Sequence, residues 1–206
     1  SNTLGTLTKL SEIDPQLLQK YSKVYFLSDN YVPARLTPIA PNFLSDTTKP
    51  LQFETDAYFF LTNLLNAAQQ EGVSLKILSA YRSFGTQAAL KANYKVTYGS
   101  GANAFSADQG YSEHQLGTTV DFTTSKLGGN LDSFATTPEY TWLLAHAYEY
   151  GFELSYPKGN AYYQFEPWHW RFVGKKLAQE LHDNRQNFYD LDQRTIDTYL
   201  VSLFDQ

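Results

Sequence analysis

SEHQLGTTVDF, residues 112–122, sets a histidine and an aspartate seven positions apart around Gly117, where a polar loop runs into a strand. A second stretch, EPWHWRF at 166–172, sets another histidine three residues after a glutamate. The chain has only four histidines, and two of them stand beside carboxylates in this way. There is no cysteine, so disulfides are excluded and a transition metal must be held by imidazole and carboxylate.

Catalytic zinc commonly takes three such ligands and keeps a fourth position for water, whose pKa it lowers to about 7. His114, Asp121 and His169 supply that set. On a straight strand positions 114 and 121 point to opposite faces, so a turn at Gly117 has to bring His114 round to Asp121. Glu166 and His169 raise the same difficulty. Pro167 lies between them and cannot donate to a sheet ladder, so the strand is expected to begin after it. Glu166 then sits on the bend, free to act as general base toward the metal's water. Trp168 and Trp170 are expected to cover the opposite face. His146 in LLAHAYEY and His182 in ELHDN read as structural or surface residues outside the site.

The rest of the chain narrows the class of protein. Its 206 residues suffice for one well-filled core and are short for two, so residues 1–206 are read as a single domain. A net charge of −5 without a basic stripe argues against a nucleic-acid partner, which needs clustered lysine and arginine. No run approaches the roughly 18 apolar residues of a membrane span, and no signal peptide stands at the start, so a soluble chain is expected. The lack of cysteine also suits an extracytoplasmic bacterial protein. Without any methionine, the chain is expected to be a processed or trimmed piece.

Five prolines punctuate residues 1–50, which are expected to wrap the domain, with a short helix at DPQLLQKYS capped by Asp14 and opened by Pro15. Ala57, Leu61, Leu64, Leu65 and Ala68 fall on one face of a helix over 55–70 that Gly72 stops. SLKILS at 74–79 reads as a strand delivering Ala80-Tyr81-Arg82-Ser83, after which Ser83 caps a helix to about Tyr94. Residues 98–113 read as a long functional loop. A strand at about 117–122, a polar hairpin-like stretch, and a helix with Thr137 as cap, Pro138 first and Gly151 at its end follow. FELSY and WHWRFV read as strands, and KKLAQELHDNR and DLDQRTIDTYLVSLF as closing helices. This mixture predicts an α+β fold with a small antiparallel sheet flanked by helices.

The two motif stretches resemble the signature of the zinc D-alanyl-D-alanine carboxypeptidases of the VanY and LdcB type, related in fold to the Hedgehog signalling domain. The family pattern, Ser-x-His-x-x-Gly-x-Ala-x-Asp and then Glu-x-x-His, is met by Ser112, His114, Gly117, Asp121, Glu166 and His169. Thr119 replaces the alanine, which adds a hydroxyl near the site and removes no ligand. SAYRS and Gln87 also fit, and the resemblance covers most of residues 20–185.

The resemblance implies Zn2+ on His114, Asp121 and His169, with Glu166 activating the water and Arg82 stabilising the oxyanion. It implies Ser112 and Gln87 near the substrate's terminal carboxylate. Tyr81 is carried as a further substrate-binding candidate, its alternative being simple packing, and for Arg82 the alternative is a surface salt bridge. The implied partner is a peptidoglycan stem peptide, met outside the cytoplasm by a monomer. Three readings stay open: removal of the terminal D-alanine by a D,D-carboxypeptidase, its L,D-specific counterpart on tetrapeptide stems, and an endopeptidase. A non-catalytic zinc-containing binding or signalling module is the alternative from another class.

Overall fold

The computed structural model describes residues 3–14, 17, 28–98, 107–108 and 110–206. Its centre is a four-stranded antiparallel sheet in the order β3 (Leu75–Ser79), β4 (Thr119–Thr124), β6 (His169–Phe172), β5 (Phe152–Leu154). A two-stranded antiparallel ribbon, β1 (Leu36–Pro38) with β2 (Gln52–Glu54), forms a second sheet. The helices are α1 (Thr3–Glu12), α2 (Thr55–Gln70), α3 (Phe84–Tyr98), α4 (Pro138–His146), α5 (Lys175–Asn184) and α6 (Gln193–Tyr199). The expected α+β architecture with an antiparallel sheet is what the chain adopts.

All six residues of β4 are buried, so both of its faces are covered. Strand alternation divides them: Val120 and Phe122 enter the main core, while Thr119, Asp121 and Thr123 face the other way. β6 divides likewise, with Trp170 and Phe172 in the core and His169 and Arg171 on the opposite face. Trp168 stands before the strand, packs against the core's edge and also lines the cleft described below, so it does not share Trp170's place. α2 closes the core with Ala57, Phe60, Leu61, Leu64, Leu65 and Ala68. A second, smaller cluster of Val173, Leu177, Ala178, Leu181, Phe188 and Ile196 joins α5 and α6.

The turns behave as their residues require. Thr137 Oγ1 accepts from Tyr140 N at 3.1 Å and Pro138 opens α4. The helix tightens to a 3-10 turn over Ala147–Tyr150 before Gly151, at φ 86°, reverses the chain. A Cβ there would stand 2.7 Å from the Phe172 ring and 3.1 Å from the backbone of Gly174 and Lys175. α3 runs to Tyr98, beyond the expected end at Tyr94. α1 lies before the expected first helix, and that helix, at 14–22, falls largely outside the described residues, as does most of the 98–113 loop. No helix among the described residues is long and apolar enough to cross a membrane.

Candidate active site

Sheet register gathers the first part of the site. Asp121 on the central β4 faces His169 on one neighbour and Ser79 on the other. The register slips between Ile77 and Ser79, a bulge of the kind that re-aims side chains, and the chain leaves β3 through Ala80 toward Arg82. His114 arrives from a 3-10 turn, Glu113–Leu116, where Ser112 Oγ accepts from His114 N at 3.3 Å. Gly117 then turns at φ 80°, and a Cβ there would lie 2.9 Å from Pro33. The reversal that joins His114 to Asp121 therefore needs glycine on both conformational and packing grounds.

The potential ligand atoms of His114, Asp121 and His169 lie within 4.8 Å of one another, and all three residues are buried. His114 Nδ1 is 2.7 Å from the Ala80 carbonyl. A carbonyl only accepts, so Nδ1 carries the hydrogen and the Nε2 lone pair faces Asp121 Oδ2 at 3.3 Å. His169 is used the other way round: Nδ1 lies 3.2 Å from Asp121 Oδ1, and Nε2 lies 3.3 Å from Glu113 Oε1. The outer nitrogen of each ring is thus tied and the inner one points to a shared centre. Asp121 Oδ1 is buried without a well-aligned hydrogen bond. Two imidazoles, one carboxylate and an unsatisfied buried oxygen fit a zinc ion by donor chemistry.

Around this centre, Glu166 Oε2 is 3.5 Å from His169 Nδ1. Its bend before β6 is fixed by Glu166 N donating to Tyr156 O and by Glu166 O accepting from His169 N, both at 3.1 Å. Arg82 stands on the far side, with Nη2 3.3 Å from Asp121 Oδ2, Nη1 donating to Gln87 Oε1 at 2.9 Å and Nε to Ser79 Oγ at 3.2 Å. Gln87 Nε2 donates in turn to Ala107 O at 2.8 Å. Arg82, Gln87, Ser112 and Glu166 line one cleft of about 400 Å³ with His114 and His169. Tyr81 is outside that lining, and its backbone N–H donates to Gln52 O. His146 pairs with Glu149 and His182 stacks on Tyr148, both away from the cleft.

The electrostatics are those of a cation site. Burial pushes the Asp121 carboxyl up, but His114 and His169 outweigh it and hold it well below the usual carboxylate range. Burial and the Arg82 charge keep His114 below 6.5. Burial alone would lower His169, yet the Asp121 and Glu113 carboxylates raise it to about 10. Burial carries Glu166 up to about 7, against the pull of His169. Glu113 and Tyr156 were not among the sequence-predicted residues. Glu113 occupies the position between Ser112 and His114 that the motif leaves unspecified, while Tyr156 lines the cleft with its ring 4.7 Å from that of His169.

The chain is similar to several known proteins. The chain is 33% identical over 174 residues, 82% of its length, to the putative carboxypeptidase YodJ of Bacillus subtilis (strain 168). It spans 64% of that protein and smaller shares of the other curated relatives it matches. A solved structure of the LdcB LD-carboxypeptidase superposes with a TM-score of 0.74 at 34% identity, covering 81% of this chain and 80% of that one. A vancomycin-resistance D,D-pentapeptidase, VanY, solved as a mutant in complex with Zn(II), shares the fold at a TM-score of 0.64 and 24% identity, covering 82% and 98%. The family model described as VanY, D-alanyl-D-alanine carboxypeptidase, matches residues 51–175, which hold every cleft residue discussed above, and the chain belongs to that family.

Proposed function

We propose that this chain is a zinc metallopeptidase that removes the C-terminal D-alanine from peptidoglycan stem peptides, acting outside the bacterial cytoplasm as a single catalytic domain. The observation that carries the reading is a buried base, Glu166, beside two histidines and an aspartate whose ligand atoms converge, with a guanidinium across the cleft. A binding module has no use for that base. Zinc held by His114, Asp121 and His169 would supply Lewis acidity toward the attacking water and the scissile carbonyl. Glu166 takes the proton from the water and returns it to the departing amine, and its burial beside the ligand set raises its proton affinity for that role.

Arg82 donates to the oxygen on which charge develops, and Gln87 holds that guanidinium in place through Nη1. Ser112 Oγ accepts from His114 N and so keeps its own hydrogen for the substrate's terminal carboxylate. Tyr81, off the cleft lining, is assigned to packing. A second reading, L,D-cleavage of tetrapeptide stems, is favoured by the likeness to LdcB. Mass spectrometry of defined stems after incubation with the zinc-loaded protein separates the two. Loss of one alanine from the pentapeptide supports D,D-cleavage, and loss from the tetrapeptide alone supports L,D-cleavage. Efficient cleavage of a C-terminally amidated stem overturns the carboxypeptidase reading.

A further inference from the structure

We infer that Glu113 is a positioning residue that dictates which ring nitrogen of His169 faces the metal, with Arg171 as its buried counter-ion. The inference rests on the zinc reading above. Glu113 has no exposed side-chain surface. Its Oε1 is 3.3 Å from His169 Nε2, and its Oε2 lies 3.0 Å from Ser155 Oγ and 3.5 Å from Arg171 Nη1. Arg171 is also fully buried, its guanidinium 4.4 Å above the Phe188 ring.

Imidazole offers two nitrogens and only one can present a lone pair to the metal while the other keeps its hydrogen. A carboxylate accepts and never donates when ionised, so Glu113 obliges Nε2 to hold the hydrogen. The nitrogen left for the metal is Nδ1, the one 3.2 Å from Asp121. His114 receives the opposite instruction from a backbone carbonyl, Ala80 O, which no substitution removes. His169 depends on a side chain. An anion behind a ligating imidazole also makes the ring a stronger donor. The anion itself would be costly to bury alone, and strand alternation puts Arg171 on the same face of β6 as His169, where it meets that anion. Glu113 is also sequence neighbour to His114, so a single residue ties the turn bearing one ligand to the ring of another.

The first measurement uses the unaltered protein loaded with zinc. Its long-range 1H–15N spectrum is expected to show His169 with metal on Nδ1 and hydrogen on Nε2; metal on Nε2 overturns the inference without any variant. Glu113→Gln, and Glu113→Leu combined with Arg171→Met to remove both buried charges, are then titrated with zinc against a chromophoric chelator. Zinc affinity is expected to fall about 10–100-fold, with the His169 Nε2–H signal shifted and near-ultraviolet circular dichroism retained. Affinity within twofold of the parent and an unmoved Nε2–H signal overturn the role of Glu113 and leave the zinc reading standing. If the parent binds no zinc, the zinc reading falls and this inference with it. Should both variants fail to fold, the spectrum of the parent decides.

Discussion

An isolated glutamate is too weak a base to hold a proton near neutrality, and with only protein groups present burial carries the Glu166 carboxyl from 4.5 to about 7. Glu166 is only 3.5 Å from His169 Nδ1, yet it is not needed to complete the His114, Asp121 and His169 set. Replacing it should therefore separate chemistry from metal binding. Glu166→Gln is expected to keep zinc, by elemental analysis, and to lower turnover of a stem peptide by about 10²–10⁴-fold, since the amide cannot take the proton. Near-normal turnover removes Glu166 from the mechanism. Arg82 and Ser112 divide differently. A donor to the developing oxyanion acts in the transition state, whereas a donor to the terminal carboxylate acts in ground and transition states alike. Arg82→Ala should depress kcat with a smaller change in KM, and Ser112→Ala should mainly raise KM; the reverse pattern exchanges their roles. Zinc content is measured alongside, because Arg82 also contacts Asp121.

At the scale of elements, the start of α2 couples capping to proton binding. Glu54 Oε2 accepts from Ala57 N at 2.8 Å, a cap made by a buried carboxyl whose pKa burial raises from 4.5 to about 7. Between those two values the folded chain holds a proton that the unfolded chain has released, so this group's contribution to stability falls as pH rises from 4.5 to about 7. Glu54→Gln keeps an oxygen acceptor and cannot ionise. In urea unfolding it should match the parent near pH 4.5 and exceed it at pH 8 by up to about 2–3 kcal/mol; equal stabilities at both pH values would show that the buried carboxylate carries no penalty. The apolar side of α2 was readable because five of its six buried residues recur at helical spacing, as was α4, which Thr137 and Pro138 announce. α1 offered no such pattern: none of its residues is buried, and Leu4 and Leu7 are largely exposed. Glu113 escaped for another reason. Its partners lie 42, 56 and 58 residues away, so nothing local marks it. The available clue was indirect: in HWRF, His169 and Arg171 share a strand face, and two cationic groups on a buried face call for a carboxylate.

For the whole molecule, the acidic centre ties stability to whichever cation it holds. With only protein groups present, the Asp121 and Glu113 carboxylates raise the proton affinity of His169 to about 10, above the unfolded value near 6.5. The stability this provides is fully present below pH 6.5 and is lost as pH climbs toward 10. His114, lowered instead of raised, acts in the opposite direction, but its contribution is complete by pH 6.5 and adds nothing to the slope above it. On the proposed ligand set zinc would compete with the His169 proton for Nδ1, so its binding should strengthen over the same interval in which the proton leaves. Zinc adds to folding stability by mass action on the native state. Chelator-treated protein is therefore expected to lose thermal stability between pH 6.5 and 9, while the increment restored by excess zinc grows across that range. A change of about 2 kcal/mol would move Tm by roughly 4–8 °C in a chain of this size, well within reach of scanning calorimetry. The core of Val120, Phe122, Trp170 and Phe172 lies on the other face of the same strands, so chelation should leave near-ultraviolet circular dichroism largely intact and re-addition of zinc should restore turnover. A zinc increment that is constant or shrinks from pH 6.5 to 9 would mean that no proton is displaced from His169, and the assignment of that ring to the metal would have to be abandoned.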